Sequence, residues 1–236
     1  MPTTTLTLTI AATDPIRVHD TTTPVPSRIK DLLSIIGGLS KPSKMPGYSY
    51  SIPAQRCATG ATLRKVKGSV CAGCYALKGC YVFPVVKDAL ERRYQSLKDS
   101  QWSAAMVAIL LKRKVEYFRW HDAGDIQSVS HLRNIALVCE STPNTLHWIP
   151  TREYRMVDSY IEKYGNLPTN LILRASAHMI GKPAPSRFEH SSMVMAKGVS
   201  DHDTANVCPA PDQENACGDC RSCWNKDIST IAYRLH

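Results

Sequence analysis

Eight of the nine cysteines in this 236-residue chain fall into two groups. Cys208, Cys217, Cys220 and Cys223 sit in the late stretch CPAPDQENACGDCRSCW, and Cys57, Cys71, Cys74 and Cys80 sit in CATGATLRKVKGSVCAGCYALKGC. The first residues carry no basic start followed by an apolar run, and no stretch approaches the roughly 18 apolar residues of a membrane span, so a cytoplasmic protein with no membrane partner is expected. Thiols stay reduced in that setting, the count is odd, and cysteines three apart share a metal more readily than they pair with each other.

The run Cys217-x2-Cys220-x2-Cys223 offers three thiolates on one short loop, each able to bond a different iron of a cube, and Cys208 supplies a fourth. Structural zinc more often takes two separated C-x2-C pairs around one ion. The tail therefore reads as a [4Fe–4S] site, with a zinc-stabilised module as an alternative. In the earlier group Cys71 and Cys74 form the tight pair, flanked by Cys57 and Cys80. Three thiolates leave one iron of a cube open to a small molecule, whereas four close it as an electron carrier or structural staple. The spacing leaves open whether there is one cluster or two, and whether Cys80 is a ligand. Cys139 lies among apolar residues of a helix pattern and reads as core.

These groups need a scaffold, and the chain offers an alternation of strand and helix. TLTLTI (5–10) alternates like a strand, and RIKDLLSIIGG is a short helix stopped by Gly37 and Gly38. From Lys41 to Gly79 repeated Pro, Gly, Ser and Cys prevent a sustained period, so this stretch is expected to be irregular. Helices follow at 84–98 and 101–113, the second with Trp102, Met106, Ile109 and Leu110 on one side. VEYFRWHDAGD (115–125) starts as a strand and breaks into a polar turn, after which 126–140 runs as a helix that Asp125 is placed to cap. LHWIP (146–150) reads as a strand, and the next helix shares Tyr154, Val157, Ile161 and Tyr164 on one face. NLILRASA (170–177) and SSMVMA (191–196) read as further strands.

Units of this length imply parallel pairing, hence an α/β fold with a mainly parallel, partial barrel-like sheet. At 43% hydrophobic content the chain suits a single domain over 1–236, containing a cysteine-rich loop at 41–80 and a cluster-binding segment at 205–224. Polar groups at the carboxyl ends of parallel strands are the default place for chemistry, which makes His121, Arg152, Arg174 and His178 the catalytic candidates, with Asp122 nearby. The formal charge of +9 favours nucleic acid or another anionic partner, although LRKVKG (63–68), LKRK (111–114) and ERR (91–93) show no aromatic interleaving.

Four stretches together, LSKPSKMPGYSYSIPAQRCATG, GSVCAGCYALKGCYVFPVVKDALERRYQSL, FRWHDAGDIQS and CPAP…CGDCRSCW, resemble the bacteriophage family known only as gene product eighty-eight, over about residues 36 to 224. That resemblance implies a phage protein acting in the host cytoplasm and brings no activity with it. At a coarser level the order of parts is similar to radical S-adenosylmethionine (SAM) enzymes. Cys57, Cys71 and Cys74 would then match the three-cysteine cluster loop, although that superfamily usually has C-x3-C-x2-C where this loop reads C-x13-C-x2-C. Asp122, Gly124 and Asp125 of DAGD would match the motif holding the SAM amino group, and the four tail cysteines an auxiliary cluster. The resemblance implies radical chemistry on a substrate that no residue names. A non-enzymatic redox sensor or nucleic-acid-binding regulator, with four ligands at each site, is the other class that fits.

Overall fold

The computed structural model describes residues 15–235, so the strand expected at 5–10 lies outside the described residues. Seven strands form one sheet in the order β1-β2-β3-β4-β5-β7-β6. They are β1 Tyr48–Tyr50, β2 Tyr117–Trp120, β3 Leu146–Thr151, β4 Leu171–Ser176, β5 Ser191–Val194, β6 Asn206–Val207 and β7 Thr230–Tyr233. Every pairing is parallel, and β1 and β6 remain as edges, so the sheet is open and does not close into a barrel. The helices are α1 Ile29–Ile35, α2 Ala58–Leu63, α3 Pro84–Ser96, α4 Trp102–Lys112, α5 Val129–Glu140 and α6 Tyr154–Tyr164.

Alternation along β2 separates the two faces of the sheet. Phe118 and Trp120 enter the main core with Trp102, Met106 and Ile109 of α4, Leu132, Ile135 and Cys139 of α5, and Val157 and Tyr160 of α6. Tyr117 and Arg119 turn the other way, toward Trp224 and Trp148 respectively. The Tyr50 hydroxyl ties β1 to the helix layer: it accepts from Trp102 Nε1 at 3.0 Å and lies 2.8 Å from the carbonyls of both Ile36 and Arg93.

The second face is covered by the tail. Arg174 on β4, fully buried, donates to the carbonyls of Ser222, Cys223, Asn225, Ile228 and Ser229 at 2.8–3.3 Å. Trp224 is buried against Tyr117 and Trp148 and donates to the Phe118 carbonyl at 3.0 Å. Among the described residues no helix is long and apolar enough to cross a membrane.

Several expectations change. The stretch 41–79 contains β1 and α2, both too short to reveal a period. Helix α5 starts three residues later than expected, because Ser128 caps it by accepting from the His131 amide at 3.0 Å. On α6 the inward stripe is Val157, Tyr160 and Tyr164, and Ile161 is 44% exposed.

Candidate functional site

The first thiol group forms beyond the carboxyl end of β1. A 3-10 turn at Ala54–Arg56 leads to Cys57, which precedes the first turn of α2, and Cys71 lies in a second 3-10 turn at Val70–Gly73. That turn is held to the β4–β5 connection by the Val70 amide on the His178 carbonyl at 2.9 Å and the Ile180 amide on the Gly68 carbonyl at 3.0 Å. Gly60 lies against both thiols: a Cβ there would sit 3.7 Å from Cys57 Sγ and 3.8 Å from Cys71 Sγ, and its 2.9 Å approach to Cys57 Cβ requires that no side chain be present. Burial pushes the Cys57 thiol well above its usual range, and Asp125, Cys74 and Cys71 push it the same way. Burial also raises Cys71, with Arg152 opposing. Cys80 is exposed and is not among the groups acting on either thiol.

Glu153, absent from the sequence-based candidates, closes this group from below. Its two carboxylate oxygens accept from the Thr59 amide at 2.8 Å and the Thr59 hydroxyl at 2.6 Å, capping α2 across 94 residues of chain. No local pattern in the sequence signals such a partner.

The turn HDAGD faces the same thiols. Asp122 donates its amide to Ser51 Oγ, its carbonyl accepts from the Tyr75 hydroxyl, and its Oδ2 accepts from Tyr81 at 3.0 Å. Its Oδ1 is buried without a partner. Asp125 is different: Oδ1 accepts from the Ile126 amide and Thr151 Oγ1, and Oδ2 accepts from the Arg152 amide at 2.9 Å. Burial nevertheless pushes it up to about 6. Its oxygens lock the end of β3 to the turn, so the spare acceptor for an amino group is on Asp122. Gly124, at φ +83°, is required by packing, since a Cβ would come within 2.3 Å of Ile52 Cγ1.

Two of the candidates are held in other contacts. His121, at φ +58°, is turned away from the face that alternation assigns it and sits edge-on to His131 at 5.3 Å, 2% exposed. Both of its ring nitrogens lack partners, and burial, with the charges of His131 and Arg119, holds it neutral. Arg174 binds the tail backbone and does not face an open site. Arg152 stays beside Cys71, with Nε donating to the Ala177 carbonyl at 3.1 Å. His178 stacks on Tyr154 at 4.4 Å, its Nε2 lying 3.2 Å from the Arg152 carbonyl, and so sits behind Arg152.

The tail thiols form the second group. The Cys208 amide donates to Ala232 O on β7 at 2.9 Å, and the Cys217 amide to Lys44 O at 2.8 Å. Burial raises Cys208 and Cys217, and each also feels its neighbours: Cys220 acts on both, and Cys208 on Cys217. Cys223, 3.5 Å from the Tyr233 hydroxyl, is pushed up to about 11 by burial, with Tyr233, Arg119 and Arg174 pulling it down. Among the described residues no group of three or more His, Cys, Asp or Glu is arranged to hold a metal ion.

Arg119 lies between the two groups and was missed by the sequence reading, which saw only a charged residue inside an aromatic strand. Its guanidinium is pressed on the Trp148 ring at 4.5 Å, and its Nε is buried without an acceptor. Burial works against its charge, and Tyr75, Asp122, Tyr233 and Cys223 outweigh that effect. Among the described residues it is in none of the ion pairs.

No curated protein and no solved structure matches the chain, and the likeness to radical SAM enzymes gains no support there. The family model described as Gene product 88 matches residues 27–226, covering every element from α1 to the tail cysteines. The chain therefore belongs to the gene product 88 family.

Proposed function

We propose that this protein carries two iron–sulfur clusters. Cys208, Cys217, Cys220 and Cys223 hold a closed [4Fe–4S] cluster, and Cys57, Cys71 and Cys74 hold a second one with an iron left open beside Asp122. The observation that carries this reading is the meeting of Cys57, Cys71 and Cys74 at the carboxyl edge of a parallel sheet, where Ala123 of the HDAGD turn packs with Cys57 and Cys74 and Asp125 acts on Cys57 and Cys71. Exposed Cys80 leaves that set at three.

Charge supports the tail site. Buried cations are normally paired, and Arg119 and Arg174 both act on Cys223 while neither is in an ion pair among the described residues. Thiolates bonded to iron supply the missing negative charge, because coordination removes the proton that burial otherwise holds on the sulfur. A single zinc draws its sulfurs to about 2.3 Å from one centre. A cube bonds each thiolate to a different iron and takes a wider ring.

An open iron supplies a place for a small molecule to bind. Asp122 suits a cationic amino group there, and Arg152, beside Cys71, suits a carboxylate. S-adenosylmethionine carries both, which makes a SAM-dependent enzyme the favoured class, with its substrate unnamed. Anaerobic reconstitution followed by iron and sulfide analysis should give about eight irons per chain, four per cluster. Electron paramagnetic resonance of the reduced protein should change on adding SAM, and Cys74→Ser should abolish that change while keeping the tail signal. Stoichiometric zinc without sulfide refutes the cluster reading. Two clusters with a spectrum indifferent to SAM leave an electron carrier or redox sensor.

A further inference from the structure

The excess positive charge of this protein is concentrated. Residues 32–87 contain eight Lys and Arg and no Asp or Glu, so they carry all but one of the nine net positive charges. Within this stretch Arg56 pairs with Glu91, and Arg64 donates to the carbonyls of Gly60 and Ala54. Lys65, Lys67, Lys78 and Lys87 are exposed, and none of the ion pairs among the described residues includes them.

Beside Lys78 and Lys87 in the chain, apolar rings and side chains are exposed. Phe83 is 57% exposed, Val85 72% and Val82 42%, at the entry to α3 between Lys78 and Lys87. Tyr75 is 55% exposed although its hydroxyl is held by the Asp122 carbonyl. The turns at 75–77 and 79–82 pack on each other, and the second packs on α3. The interleaving lies within one stretch of chain, 75–87, where Tyr75, Lys78, Phe83 and Lys87 are all exposed.

We infer that this outer face of the cysteine-rich loop binds single-stranded nucleic acid. Lysines without carboxylate partners attract phosphates at no cost in broken ion pairs, and release of condensed counterions drives the association. Exposed rings beside them give bases a stacking surface, a combination that suits an unpaired strand, whose bases are free to stack. A membrane surface would meet the lysines, but the exposed apolar groups here are on short turns and the first residues of α3, and not along one amphipathic helix.

The test is fluorescence anisotropy of the anaerobically purified full chain with a labelled single-stranded oligonucleotide and its duplex, over a range of salt. Binding to the single strand should weaken steeply with salt, and the Lys65→Glu/Lys67→Glu double variant should reduce the slope of log K against log salt by about 1.4. Phe83→Ala should weaken single-strand binding about tenfold and leave duplex binding unchanged. Lys98→Glu/Lys112→Glu, at the end of α3 and on α4, is the charge-matched control and should bind like the parent. Circular dichroism and iron content of each variant confirm that the fold and the clusters are intact, so a loss of binding here is separate from a failure of the cluster reading. The inference is overturned by absence of binding at low salt, by equal loss in the control pair, or by equal affinity for duplex with Phe83→Ala silent.

Discussion

Replacing Arg174 with Met measures how firmly the tail is held to the sheet. The guanidinium reaches five carbonyls between Ser222 and Ser229, and the residue is fully buried. Met fills most of the volume and donates nothing. Five acceptors left in place without a donor would cost about 1 kcal/mol each, roughly 5 kcal/mol in all. Removing a buried guanidinium also removes its desolvation penalty, which offsets a few kcal/mol of that. The expected net loss is about 3 kcal/mol, at the lower end of what breaking a buried charged group costs. For a chain of this length that corresponds to a fall in Tm of roughly 6–12 °C. Thermal unfolding reads the shift, and limited proteolysis reads where it acts, since the stretch from Cys208 to Ser229 should be cut first. Arg174→Lys should fall between, because an ammonium has three donors where the fork has five. A Met variant that melts within about 1 °C of the parent and keeps its tail protected would refute the argument.

Gly124→Ala combines a φ of +83° with a Cβ 2.7 Å from Ile52 O, so a loss of about 2 kcal/mol or more is expected in urea unfolding; parent-like stability would show that the turn does not abut β1. Cys80→Ser should leave bound iron unchanged after anaerobic reconstitution, whereas Cys71→Ser should lower it; equal losses would make Cys80 a ligand. His147 is buried and held neutral with a pKa of about 3, against 6.5 for an ordinary imidazole. The unfolded chain therefore binds the extra proton first, and the stability this group supports is present above pH 6.5 and lost as pH falls from there toward 3. Asp125, raised to about 6, works in the opposite sense, losing stability as pH rises from 3.8 to 6. His147→Gln should therefore flatten the acid side of a plot of urea midpoint against pH, and an unchanged slope would contradict the burial argument.

The strands that carry a continuous apolar or aromatic run were legible in the sequence. LHWIP, NLILRASA and SSMVMA overlap β3, β4 and β5, because strands buried on both faces of a parallel sheet need such runs. β1 and β6 were not, being three and two residues long and lying in stretches rich in Pro, Gly, Ser and Asp. The thiols could be grouped by spacing alone. Arg119 and Arg174 could not be assigned from spacing, because what they do depends on partners brought together from β3, the Asp122 turn and the tail. His121 lies at the carboxyl end of β2 as expected, but what it faces was not legible, because alternation gives a face only while the backbone stays extended and a left-handed residue ends it.

The strand order carries a consequence for how the molecule is made. β7 is inserted between β5 and β6, so β6 has β7 as its sheet neighbour, and the Cys208 amide bonds to Ala232 on β7. Neither β6 nor Cys208 can settle until Thr230–Tyr233 has left the ribosome. The helix layer and the first thiol group use earlier chain and can assemble during synthesis, since domains form from the amino end as the chain emerges. The tail thiols are made after both and settle only with β7, so any metal they take is delivered to a body already folded around an unfinished edge.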